Sequence, residues 1–161
     1  MHKLRIYLDT SVISHLDAPD AADKMQDTLT LWNKIKADEY TVVLSSITLA
    51  ELDECLEPKR EVLFDYLNKI QYEVVELDAQ AIEIAEKFVD LGILKQKSFD
   101  DCQHIAAAII SKCDAIISWN FKHIVNHKTI QGVKAVTALS GFKDVMIYTP
   151  SILSGGENDD S

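Results

Sequence analysis

The chain contains no apolar run approaching the ~20 residues that a helix needs to cross a bilayer. Met1-His2-Lys3 leads straight into the first apolar segment with no leader pattern, so a cytoplasmic protein with no membrane partner is expected. Cysteine is scarce: Cys55, Cys102 and Cys113 are odd in number and form no CxxC pair. That count excludes a disulfide framework, and the helical apolar pattern around Cys102 and Cys113 suits buried thiols in a reducing compartment. No GxGxxG and no GxxxxGK[ST] loop occurs, which removes the usual warrant for a dinucleotide or P-loop nucleotide site. Positive charge is also short, 16 Lys and Arg against 26 Asp and Glu for a net charge of −10. Broad, salt-driven binding of nucleic acid needs a basic face and is not expected from that balance.

What is present is an ordinary globular composition, 47% hydrophobic and 26% charged over 161 residues. Such a length suits one domain that buries roughly two-thirds of its unfolded surface. Residues 1–150 read as that domain, and the acidic, glycine-bearing stretch 151–161 reads as a disordered tail. The run from Leu4 ends at its first carboxylate, Asp9, and is followed at once by Thr10 and Ser11. A near-continuous apolar run of this kind reads as a buried parallel strand. Further strands are expected at 40–45, 72–77, 115–118 and 145–148. Between them the helical spacing predicts a helix capped by Asp20 and reaching Lys36, and one starting at Ser46 or Thr48 with Glu51 in its first turn. Others follow with Pro58 at their first position, from Asp78 to Gly92, over 98–113 and over 131–139. Residues 121–130 are ambiguous. Strands alternating with helices imply a three-layer α/β/α sandwich around a parallel sheet of about five strands.

Three acids share one kind of address. Asp9 ends the first strand, Glu51 lies in the helix entered from the second, and Asp101 opens the helix before the fourth. In open α/β sheets ligands bind beyond the carboxyl ends of the strands, where strand order reverses. Converging carboxylates repel one another, yet they are the oxygen donors that Mg²⁺ or Mn²⁺ requires. An acidic chain can therefore still hydrolyse a phosphodiester, because the metal supplies the positive charge that the phosphate meets. Taken singly, Asp9 serves equally well as a helix cap, Glu51 as a solvated residue and Asp101 as a first-turn acid favoured by the helix dipole. Asn120, after the fourth strand, occupies the equivalent of Asp9 and offers a carbonyl oxygen without charge.

Leu8-Asp9-Thr10-Ser11-Val12-Ile13, Leu49-Ala50-Glu51-Leu52, Asp101-Cys102-Gln103-His104-Ile105-Ala106 and Ser118-Trp119-Asn120-Phe121 together resemble the PIN-domain nucleases. Among these the chain is most similar to VapC-like toxins of toxin–antitoxin pairs, and the resemblance runs from about residue 4 to 150. It implies a PIN-like fold and a Mg²⁺- or Mn²⁺-dependent endoribonuclease, with Asp9, Glu51 and Asp101 as metal ligands; Asn120 is expected to join the catalytic site as a polar orienter of water or substrate. Thr10, Ser11 and Ser118 would support the ligands or touch substrate. The same resemblance implies an RNA substrate, a small antitoxin over the acidic site and a homodimer formed through apolar helix faces. The family often carries an acid where this chain has Asn120. That departure defines the alternative, a catalytically weakened PIN-fold module that binds RNA or protein.

Other side chains carry weaker signals. His104, among Cys102, Ile105 and Ala108, reads as a satisfied core histidine. His123 and His127 have the i,i+4 spacing of a zinc pair but no third ligand, so they read as surface residues. Asp100 reads as a cap, and Asp53, Glu54 and Glu57 as an exposed helix face. Lys95 and Lys97 read as a solvated loop able to touch phosphate. A phosphatase with Asp9 as nucleophile is a further rival, but that chemistry calls for a second acid two residues on, where this chain has Ser11.

Overall fold

The computed structural model describes residues 3–155. The residues 156–161, which hold most of the acidic tail, lie outside the described residues, as do Met1 and His2. Five strands form one sheet: β1 (Leu4–Leu8), β2 (Tyr40–Ser45), β3 (Glu73–Val75), β4 (Ala115–Ile117) and β5 (Met146–Tyr148). All neighbouring pairs are parallel, in the order β3-β2-β1-β4-β5. Strand order therefore reverses between β1 and β4, which places the crevice expected of such sheets beyond the ends of those two strands.

Eight α-helices cover the sheet among the described residues: α1 (Thr10–Ser14), α2 (Ala22–Lys36), α3 (Ser46–Asp53), α4 (Lys59–Leu67), α5 (Ala79–Asp90), α6 (Phe99–Ile110), α7 (His127–Ser140) and α8 (Pro150–Gly155). Alternation along the strands divides the core in two. Tyr7, Val43 and Ile116 face one cluster, with Phe88, Ile105 and Val133 from α5, α6 and α7. Ile6, Leu8, Val42, Leu44 and Ile117 face the other, with Leu31, Trp32, Leu52 and Leu63 from α2, α3 and α4. The expected three-layer α/β/α sandwich with a parallel sheet is the fold observed.

Local chemistry sets the element boundaries. Asp9 caps α1 by accepting from the Val12 amide, and Ser45 caps α3 through the Thr48 amide, so both strands turn sharply into helices at the same sheet edge. Because α3 starts at Ser46, Glu51 lies in its second turn rather than its first. Asp20 does not cap α2. Pro19 starts a short 3₁₀ turn that absorbs Asp20, and the helix begins at Ala22. Pro58 stands one position before α4. The helix expected over 98–113 ends at Ile110, where Lys112 takes up a left-handed conformation at φ 59°. Asn126 caps α7 through the Thr129 amide, so that helix starts four residues earlier than its apolar pattern indicates.

The boundary at residue 150 needs correcting too. Residues 150–155 form α8, which lies against α2, and Lys34 Nζ donates to the Leu153 carbonyl at 2.8 Å. Leu153 joins the apolar cluster beside Trp32 and Leu31, so this short piece has a docking face that its polar neighbours obscure in the sequence. On the other face, Gly132 of α7 admits the Ile93 side chain: a Cβ there would stand 2.7 Å from it. That close approach fixes the segment linking α5 to α6.

Candidate active site

Asp9, Thr10, Ser11, Glu51, Asp101, His104 and Asn120 line one cleft of about 380 Å³ beyond the ends of β1 and β4. Glu54, expected on an outward helix face, lines it as well. Sequence-distant residues reach the cleft from α1, α3, α6 and the segment after β4.

Asp9 is buried, with 3% of its surface exposed. Its carboxylate accepts from Ser11 Oγ at 2.6 Å, from the Val12 amide at 3.2 Å and from Ser118 Oγ. The two hydroxyls are themselves oriented. Ser11 Oγ accepts from the Trp119 amide and Ser118 Oγ from the Asn120 amide, each at 2.9 Å, so their own hydrogens are free to turn to Asp9. The loop after β4 thus presents its amides to Asp9 through two serines. Burial nevertheless raises the Asp9 pKa above the usual carboxylate value, against the lowering effects of nearby His104 and these hydrogen bonds.

Glu51 behaves differently. Thr10 Oγ1 donates to its Oε1, and His104 Nε2 lies 2.8 Å from the same oxygen. Burial raises its pKa, but the His104 and Thr10 bonds outweigh that effect and hold it below the ordinary value. Asp101 accepts from Asn120 Nδ2 at 3.2 Å on Oδ1, and His123 Nδ1 lies 2.8 Å from Oδ2. Its pKa is raised, chiefly by burial and against the opposing charge of His123.

The two histidines were not legible as members of this region. His104 is buried, as expected, but it joins the cleft by bridging Glu51 to the Tyr7 phenol. Tyr7 also meets Ser45 Oγ at 2.7 Å and Thr48 Oγ1 at 3.2 Å. His123 and His127 do not share a helix: His123 sits in the turn after β4, while His127 begins α7 and is exposed. The available signal was the short spacing of Asn120 and His123, whose amide bonds Asn120 Oδ1 at 2.9 Å and brings its ring back onto Asp101. Asp100 is exposed, and Asp53 and Glu57 pair with Arg60, so none of them enters the cleft.

The donor set suits a hard divalent cation: oxygen atoms, negative charge, and two aspartates whose ionised forms are penalised by burial and would be favoured by a cation. Among the described residues no three His, Cys, Asp or Glu side chains are already gathered tightly enough to hold an ion. Each carboxylate is instead turned onto its own donors, the expected response of three acids sharing a cleft.

A model of the PIN domain matches residues 6–122. The chain belongs to the PIN-domain family. No curated protein matches the sequence, but eleven chains of solved structures match. One belongs to VapBC2 from Rickettsia felis, determined bound to a DNA fragment from their promoter. It is 14% identical, superimposes with a TM-score of 0.55, and the match covers 91% of this chain and 98% of that one. At such identity the likeness is one of fold. Among the described residues no helix of this PIN protein is long and apolar enough to cross a membrane.

Proposed function

We propose that this PIN-domain protein is a divalent-metal-dependent endoribonuclease, the toxin of a toxin–antitoxin pair. The observation that carries the reading is the convergence of Asp9, Glu51, Asp101 and Asn120 on one cleft at the reversal of strand order. Asp9, Glu51 and Asp101 would hold Mg²⁺ or Mn²⁺. A bound ion would lower the pKa of its water and steady the charge on the scissile phosphate.

The remaining residues prepare these ligands. Ser11 and Ser118 hold both oxygens of Asp9, so its carboxylate has one orientation. Thr10 and His104 both bond Oε1 of Glu51 and keep the acid ionised. Asn120 and His123 hold Asp101. Such support is what keeps ligating carboxylates aimed, and its loss commonly costs 10- to 100-fold in metal affinity. Asn120 carries no charge, so three carboxylates balance one divalent ion with one negative charge to spare.

The likeness to VapBC2 supports a small antitoxin partner. A cationic side chain of such a partner could replace the metal over the acidic cleft, and a homodimer and a cytoplasmic location belong to the same reading. The deciding experiment incubates a panel of RNAs with wild-type and Asp9→Asn protein, with and without Mn²⁺. Internal cleavage by the wild type only, and only with the ion, is expected. Undiminished cleavage by Asp9→Asn would sink the metal-site assignment, and metal-independent RNA binding without cleavage would favour the weakened binding module.

A further inference from the structure

Beside the acidic cleft lies a larger groove of about 960 Å³ with the opposite character. Lys95, Lys97, Lys122 and Lys128 line it together with His123 and His127, and no Asp or Glu does. All four lysines are exposed, and among the described residues none of them takes part in an ion pair. This is unexpected in a chain of net charge −10. None of its 26 acidic residues falls between positions 115 and 143, the stretch that supplies one wall of the groove. The floor is apolar where Val89, Ile93 and Leu94 contribute.

The groove and the cleft abut. His123 lines the groove, and its Nδ1 lies 2.8 Å from Asp101 of the cleft. Asn120 of the cleft is followed directly by Phe121 of the groove, which is 49% exposed. Phe121 is held in place on one side: its ring lies 6.3 Å from that of Trp119, and Lys24 Nζ stands 5.3 Å from its centroid. An exposed aromatic ring at the border of a lysine-lined groove is the arrangement that stacks a base while cations track a backbone.

We infer that this groove, from Phe121 past His123 to Lys97 and Lys128, is the seat of the single-stranded RNA segment flanking the scissile phosphate. The inference rests on the proposed ribonuclease reading for its choice of polymer, and it assigns that substrate a path. Lysines would take successive phosphates, and Phe121 would stack the base next to the cut. An acidic protein segment would satisfy the lysines but would make no use of the exposed ring at the cleft border.

Full-length Asp9→Asn protein in EDTA, which cannot cleave, is titrated into a fluorescein-labelled 12-nucleotide single-stranded RNA, with anisotropy as the readout. Lys97→Glu/Lys128→Glu, built on that background, should weaken binding more than tenfold. It should also flatten the slope of log affinity against log salt by about 0.7 for each phosphate that the lysines no longer neutralise. Phe121→Ala should weaken it at least about fivefold with the slope unchanged. Lys36→Glu/Lys69→Glu adds the same charge at exposed positions near the opposite end of the strands and should leave affinity nearly intact. Equal loss in both lysine pairs, or in neither, overturns the groove assignment, as does equal affinity for a 12-base-pair RNA duplex. Capture of an acidic peptide in place of RNA overturns it in favour of a protein partner. If the groove variants behave as expected while wild-type protein cuts no RNA with any divalent ion, the ribonuclease reading falls and the RNA groove stands.

Discussion

Tyr7 Oη lies 2.7 Å from Nδ1 of His104, and His104 relays that constraint through Nε2 to Glu51, 2.8 Å away. A carboxylate can only accept, so Nε2 carries a hydrogen toward Glu51. In the neutral imidazole Nδ1 must then accept from the phenol, which fixes the tautomer. A tyrosine inside β1 thereby aims an acid on α3 through a histidine on α6. Tyr7→Phe removes the donor and leaves Nδ1 and the Ser45 and Thr48 hydroxyls short of a buried partner. We expect a loss of ~1–3 kcal/mol in urea unfolding with an unchanged m-value. An unaltered midpoint would show that the phenol does not orient His104.

The pH dependence follows from the same residues. The His104 pKa is raised: burial lowers it, but the bond to Glu51 and the charges of Asp9, Glu51 and Asp101 prevail. Its contribution to stability is complete below the ordinary value of 6.5 and is lost as pH rises through the higher folded value. Glu51 is lowered, so its contribution is present above 4.5 and is lost as pH falls through its lower folded value. Asp9 and Asp101, raised by burial, favour the folded state in acid and withdraw that support as they ionise. As pH rises, the histidine and the aspartates act in the same direction. Melting temperature without metal should fall between about pH 6 and 8, and His104→Gln should reduce that fall. A melting temperature that rises over this range would contradict the assignment.

Asp9→Asn should preserve the fold, since asparagine is an equally good helix cap. It should also raise stability at neutral pH without metal, because a buried charge is removed. The gain should shrink on acidification, when Asp9 itself becomes neutral. Thermal melts at about pH 7 and pH 4 measure both effects, and a gain that grows in acid would contradict the buried-charge explanation.

Asn120→Asp replaces an amide that donates to Asp101 with an acid that repels it. The Oδ1 that accepts from the His123 amide is retained. Stability without metal should fall and recover with Mn²⁺, and calorimetric titration should show tighter binding and a second ion without substrate. Identical stoichiometry and affinity would remove Asn120 from the site.

His123→Ala takes away the partner of Asp101 Oδ2. We expect Mn²⁺ affinity to drop about tenfold or more, with little change in melting temperature because the side chain is only half-buried. Unchanged affinity would leave His123 as a groove residue alone.

Much of this molecule is determined within its own sequence. The apolar runs at 4–8, 40–45 and 115–117 suffice for a buried parallel sheet, because each turns two hydrophobic faces inward. Asp9 and Asp101 mark the cleft edge by following a strand or opening a helix, where a side chain's place depends only on its neighbours. Asp78 and Gly92 likewise bracket α5 by local chemistry. What the sequence could not decide were contacts set by packing between distant segments. His104 has the neighbours of a core histidine, and only the approach of α3 and β1 brings Glu51 and Tyr7 to its two nitrogens. His123 looks paired with His127 until the turn at 121–125 folds it onto Asp101. Likewise, the apolar side of 150–155 has meaning only against α2. Lys97 and Lys128 lie 31 positions apart, and they share a groove because Gly132 lets Ile93 draw the α5–α6 segment against α7.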